Sequence, residues 1–334
     1  MADTCTATGI GSWPGDDVRA ALATVRDLLA DDHLPYLPEL PDRGPGADLV
    51  GRGAALLVDL PVDLQPFGWR FVDRPGRDLE RSRAFLRQDL DELAEAFDGY
   101  AGILKVQAAG AWTLAASIEL QRGERALVDP GACRDLVGSL AEGLRDHLGT
   151  VARLVPGARV VIQLDEPSLP AVLAGRLPTA SGYGRVPAVD PSVAADGLRT
   201  VLAAASEAER TVVHCCAPTP PLPLLRSTGA DALAVDTTRL DPRGWESVAA
   251  TIESGTDVWL GVLDTAAGEL PADSELVRRI RHSWAEVGMP AAQLGERILT
   301  PACGLASATV EGARRSQRLV RDVARALAED AAGS

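Results

Sequence analysis

Aromatic side chains are sparse in this 334-residue chain, with Phe, Trp and Tyr together at 4%. A core of this size must then be built mostly from Ala, Val and Leu. Basic residues are also in deficit, 33 Lys and Arg against 47 Asp and Glu, so the net charge is −14. Such a field repels phosphate backbones and argues against nucleic acid as a partner. No uninterrupted apolar run approaches the roughly 18 residues that a membrane span needs, so no membrane association is expected. The start, MADTCTATGIGSWPG, has neither the basic segment nor the long apolar run of a secretion signal, and a cytoplasmic location is the expectation. The five cysteines are odd in number, which disfavours a secreted disulfide framework in so long a chain. Neither G-x-x-x-x-G-K-[ST] nor G-x-G-x-x-G follows a strand-like run, so a nucleotide site has no support.

What is present is a repeating alternation. Short apolar, β-branched runs predict strands at Thr4–Ile10, His33–Pro38, Gly102–Ala108, Arg159–Leu164, Thr211–Cys215, Ala232–Asp236, Val258–Leu263 and Ile298–Pro301. The second is the weakest, because prolines disfavour a central strand. Amphipathic stretches between them predict helices at Asp16–Asp31, Asp78–Phe97, Pro130–Leu154, Pro191–Ala208, Pro220–Ser227, Arg243–Glu253, Asp273–Val287 and Ala306–Glu329. Eight strands alternating with helices predict an α/β fold, a single (β/α)8 TIM barrel over residues 1–330 with a tail at 331–334. The stretch at 54–75, with its LLVDLP and GWRFV runs, breaks the alternation and reads as a hairpin inserted after the second strand.

Polar residues collect at the C-terminal ends of these strands, the face on which barrel active sites are built. His214 and Cys216 are two residues apart, so alternation points both the same way. Cys303 arrives at the same face from the end of the last strand. One imidazole and two thiolates suit zinc, and Asp236 at the end of the sixth strand could complete four-coordination. Ligands drawn from separate strands point to a catalytic rather than a structural metal. Taken alone the H-x-C pattern is weak, since buried free cysteine is common as a small hydrophobe. Cys215 should face the helices, and Cys5 and Cys133 read as packing residues. Trp112, just past the third strand, is a candidate for stacking on a planar substrate, with rim packing as the plainer reading. His147 and His282 read as surface residues on helices.

The segments TGIGSWPG, QLDEPSL, VVHCCAP, ALAVDTTR, LGVLDT and LTPACGLA stand in an order that resembles the C-terminal catalytic barrel of cobalamin-independent methionine synthase, within the superfamily that also holds uroporphyrinogen decarboxylases. The likeness runs nearly end to end and is closest to the short, single-barrel branch. It implies a Zn(2+)-dependent methyltransferase that converts homocysteine to methionine. By the same resemblance His214, Cys216 and Cys303 match zinc ligands, and Asp236 stands where the family has Glu. Ile10, Gly11 and Ser12 match the segment that contacts the homocysteine carboxylate, and Asp165 matches the carboxylate that pairs with its amino group. Glu39 lies near a second such carboxylate.

One departure bears on the donor. Long-form enzymes carry a D-x-H-S pattern after the seventh strand, whereas this chain has Asp264-Thr265-Ala266-Ala267 and no His there. A poor leaving group needs a proton donor, so a methylated corrinoid or corrinoid protein is the expected methyl donor rather than a folate. Two other readings stay open at this stage. One is a zinc-thiolate alkyltransferase acting on another thiol, and the other is a non-catalytic barrel that binds zinc or a thiol amino acid.

Overall fold

The computed structural model describes residues 5–266 and 269–332. Its strands are β1 (Thr6–Ala7), β2 (Val62–Gln65), β3 (Gly68–Phe71), β4 (Ile103–Ala109), β5 (Arg159–Asp165), β6 (Arg210–Cys215), β7 (Ala232–Asp236), β8 (Asp257–Leu263) and β9 (Ile298–Pro301). Seven of them form one parallel sheet in the order β1-β9-β8-β7-β6-β5-β4. The sheet curls with helices on its outer side, an α/β half-barrel. The first predicted strand shrinks to two residues, and its Thr4 lies outside the described residues, as does Ala267.

The second predicted strand is not a regular strand. Residues 34–39 make only isolated bridges, Tyr36 with Lys105 and Ser12 with Glu39. The segment still bonds to both edges of the sheet. Leu34 N donates to Ala7 O at 3.0 Å and Glu39 N to Gly11 O at 3.1 Å, on the β1 side. On the β4 side, Lys105 N donates to Pro35 O at 2.9 Å and Leu37 N to Lys105 O at 3.0 Å. Pro35 and Pro38 have no N–H to give, so a continuous ladder cannot form here.

Alternation sorts the strand residues into two apolar sets. Leu34, Val161, Val212, Ala232, Ala234, Trp259 and Ile298 pack together on the concave side. Their chain neighbours Ile162, Val213, Leu233, Val258 and Leu299 pack outward against the helices. Further along two of these strands the concave positions turn polar: Gln163 follows Val161 by two residues, and His214 follows Val212. The β5–β6 register places Asp165 directly opposite His214.

Aspartates start many of the helices. Asp17, Asp48, Asp129, Asp190 and Asp241 each accept a backbone N–H in the first turn of the helix that follows. Each satisfies donors the helix itself cannot, which puts part of the acidic excess to structural use. The helix Leu49–Leu56 adds an element that the sequence pattern does not predict; an antiparallel hairpin β2–β3 does follow, but its first strand is Val62–Gln65, after the LLVDLP run at 56–61 and not within it. No helix among the described residues is long and apolar enough to cross a membrane.

Candidate active site

His214 lies in β6, 3% exposed, with its ring on the concave side. Its Nδ1 is 2.7 Å from Asp165 Oδ1. A carboxylate only accepts, so Nδ1 carries the proton and Nε2 presents a lone pair. That Nε2 is buried and has no hydrogen-bond partner. Asp165 Oδ1 also accepts from Gln163 Nε2 at 2.7 Å. A metal-binding histidine has this arrangement, with one nitrogen oriented by a carboxylate and the other left to the ion.

Cys216 and Cys303, just past the ends of β6 and β9, meet with their sulfurs 3.3 Å apart. A hydrogen bond from Cys216 pulls the Cys303 thiol down to about 6, against its burial, with help from the Gly304 N–H. Cys216 moves up correspondingly, because it keeps the proton the pair shares. Two sulfurs side by side, one of them easily ionised, with an imidazole lone pair in the same neighbourhood, are a donor set that fits zinc. Cys215, between His214 and Cys216 in the chain, is fully buried and faces the helix layer, as alternation predicts.

Asp236 sits at the end of β7 and is 5% exposed. Its Oδ1 is taken up by Thr238, through the backbone N–H at 2.9 Å and the hydroxyl at 2.6 Å. Its Oδ2 lies 3.7 Å from Arg239 Nε. Among the described residues no group of three or more His, Cys, Asp or Glu side chains is gathered as a metal site.

The other flank of the site is the Ile10-Gly11-Ser12 segment. Glu39 joins it through backbone bonds: Glu39 N donates to Gly11 O, and Trp13 N donates to Glu39 O at 2.7 Å. Leu305 N donates to Ser12 O at 2.9 Å, which ties the Cys303 loop to the same segment. A Cβ on Gly304 would fall 1.9 Å from Ser12 Oγ, so a larger residue there would force the Ser12 hydroxyl to turn away. The Glu39 carboxyl is buried and 3.2 Å from Arg52 Nε. Burial pushes its pKa up and Arg52 opposes the rise. Arg52 and Arg43 share Asp89, so a buried chain of ion pairs reaches from Glu39 to the helix Arg77–Ala96.

Trp112 is placed elsewhere. Its indole N–H donates to Ala194 O at 2.9 Å, and its ring lies against Gly197. The start of the helix Ala111–Ser117 turns the side chain toward the helix Pro191–Ala204, away from the strand ends. The stacking role is therefore replaced by helix packing. His147 is also corrected: it is 6% exposed, not a surface residue, whereas His282 does lie at the surface.

Two concave residues are not evident from the sequence. Lys105 is completely buried and donates to Ile10 O at 2.8 Å, Gln163 Oε1 at 3.0 Å and Gln107 Oε1 at 3.3 Å. Gln163 links it onward to Asp165 and also donates to Ile10 O at 2.9 Å. The available signal is parity: Gln163 is two before the site residue Asp165, and Lys105 is two before Gln107, a second polar residue on the same strand.

Over residues 4–326 the sequence matches the family described as the cobalamin-independent synthase catalytic domain. The chain belongs to this family. The cobalamin-independent methionine synthases are methyltransferases of the 5-methyltetrahydropteroyltriglutamate–homocysteine type, and a corrinoid donor or partner finds no support in that membership. Among curated proteins, no sequence relative is found. Solved structures agree on the fold. A B12-independent methionine synthase from Shewanella sp. W3-18-1, in complex with selenomethionine, is 11% identical with a TM-score of 0.58, covering 99% of this chain and 100% of that one. A putative vitamin-B12 independent methionine synthase from Listeria monocytogenes is 14% identical with a TM-score of 0.54, covering 96% of this chain and 98% of that one.

Proposed function

We propose that this methyltransferase converts homocysteine to methionine, with zinc held by His214, Cys216, Cys303 and Asp236 at the C-terminal ends of the strands. The observation that carries the reading is His214, whose Nδ1 is held by Asp165 while its buried Nε2 has no partner. Asp236 would coordinate through Oδ2, since Thr238 already engages Oδ1. Bound zinc would hold the substrate sulfur as thiolate, the nucleophilic form. Asp165 orients the imidazole, and Glu39 with Asp165 supplies negative charge for the substrate ammonium. The Ile10-Gly11-Ser12 backbone receives the substrate carboxylate. We take residues 34–39 as the remaining strand position of a closed eight-position barrel, on the support of their bonds to both β1 and β4.

The transfer forms a sulfur–methyl bond and breaks the bond between the methyl carbon and the donor nitrogen, which then takes a proton from solvent, balancing the one that the homocysteine thiol gave up. We assign a 5-methyltetrahydropteroyl donor, in keeping with the family. The test is methionine formation from homocysteine with 5-methyltetrahydropteroyltriglutamate or methylcobalamin as donor, in wild type and Cys216→Ser. Activity with the first donor, and its loss in the variant, is the expected result. A Cys216→Ser enzyme as fast as wild type would sink the zinc-thiolate reading.

A further inference from the structure

Lys105 sits on β4 with no exposed surface, an unusual place for a charged side chain. Its three N–H donors meet three neutral oxygens, those of Ile10, Gln163 and Gln107. Its ammonium also lies 5.3 Å from the centre of the Tyr36 ring. No carboxylate is within ion-pair distance of it among the described residues. Burying an ammonium without a paired anion is costly, and an apolar side chain of similar size would serve packing better. A structural role alone does not account for it.

Its connections all lead to the substrate side of the site. The carboxylates that act on it through space are Asp165 and Glu39, and they work against the burial that draws its pKa down to about 7. Its shortest bond is to Ile10 O, which also accepts from Gln163. The Ile10–Gly11 peptide is trans, so its C=O and N–H point in opposite directions. Two donors hold the carbonyl toward the interior, and the Gly11 N–H is thereby turned the other way. A flip of this peptide would bring a carbonyl oxygen to where the N–H points, and an incoming carboxylate would be repelled.

We propose that Lys105 is the positioning residue for the amino-acid head of the substrate: with Gln163 it holds the Ile10–Gly11 peptide in the orientation that receives an α-carboxylate, and its charge offsets that of the carboxylate. This inference rests on the homocysteine reading above. It concerns only the head of the molecule and makes no claim about the thiol end.

The experiment compares two thiols by titration calorimetry, L-homocysteine and 1-propanethiol, which lacks the amino-acid head. Lys105→Met should weaken homocysteine binding by at least about tenfold. Propanethiol binding should stay within about twofold, and zinc content should be unchanged. The variant should melt at the same temperature as wild type or higher, since a buried unpaired charge has been removed. In steady state KM for homocysteine should rise far more than kcat falls. Homocysteine binding within about twofold of wild type would overturn the proposal, as would equal losses for both thiols. Should Lys105→Met fail to fold, Lys105→Gln carries the same comparison, because it removes the charge and leaves the Gln163 bond to Asp165 in place. A wild-type protein that binds neither thiol would sink the homocysteine reading and this inference with it.

Discussion

Asp165 Oδ1 takes a hydrogen bond from Gln163 on one side and orients the His214 ring on the other. That single oxygen sets which imidazole nitrogen is protonated, and so which one is free to bind an ion. Asp165→Asn can present a donor to Nδ1 and so favour the wrong tautomer. Metal retention against a chelator should fall by about 10- to 100-fold, in the range for oriented histidine ligands, while the thermal midpoint of the metal-free protein changes little. Unchanged retention would show that Nε2 is not a ligand atom. The residues of this cluster are partly legible in the sequence. His214, Cys216, Cys303 and Asp165 stand out because their chemistry is rare at strand ends. Lys105 does not, because lysine in a strand ordinarily faces solvent, and only the parity of β4 against its neighbours shows it pointing inward. Trp112 misleads for the converse reason: its place just after a strand says nothing about which way the following helix turns it.

At the scale of elements, Glu166 connects β5 to the helix Ala111–Ser117. It accepts from Trp112 N at 3.0 Å, Thr113 N at 2.8 Å and Thr113 Oγ1 at 2.8 Å. The two backbone N–H groups are first-turn donors that Gly110, the residue at the cap position, has no side chain to satisfy. Gly110 is needed for the approach, because a Cβ there would fall 2.3 Å from Glu166 Oε1. Glu166→Ala should cost about 1–3 kcal/mol in urea unfolding, the usual consequence of leaving buried donors unsatisfied. Gly110→Ala should also destabilise, and the double variant should cost less than the sum of the two, since both act on one contact. Strict additivity would show that the contact is not shared. Most elements are visible as patterns: β7 and β9 fall within the predicted residues, and the helix Pro130–Leu154 matches end to end. The helix Leu49–Leu56 is hidden by its two glycines, Gly51 and Gly53, which lower helix propensity, so that its Asp48 cap is the one local sign of it.

For the whole molecule, stability in acid carries a particular signature. His147 is buried beside Arg52, and burial first, then the Arg52 charge, draws its pKa from 6.5 down to about 4. In the unfolded chain it takes a proton near pH 6.5, whereas in the folded protein it stays neutral until about pH 4. Its contribution is therefore complete above the unfolded value and lost as pH falls through that window, by roughly 3 kcal/mol. His147→Gln should remove this part of the decline. Relative to the variant, wild type should lose roughly that amount between about pH 7 and about pH 4 in denaturant titrations, and parallel curves would refute the assignment.

Composition and periodicity alone determined the alternating α/β pattern, the acidic balance of charge and the placing of candidate metal ligands at strand ends, because these depend on residue type and local spacing. The gathering of those residues was decided only by the tertiary structure. Whether residues 34–39 join β1 to β4, whether Cys216 meets Cys303 across 87 positions of chain, and which oxygen of Asp236 is already engaged all depend on strand register and sheet curvature. Those are properties of many strands packing at once, and no single stretch of sequence contains them.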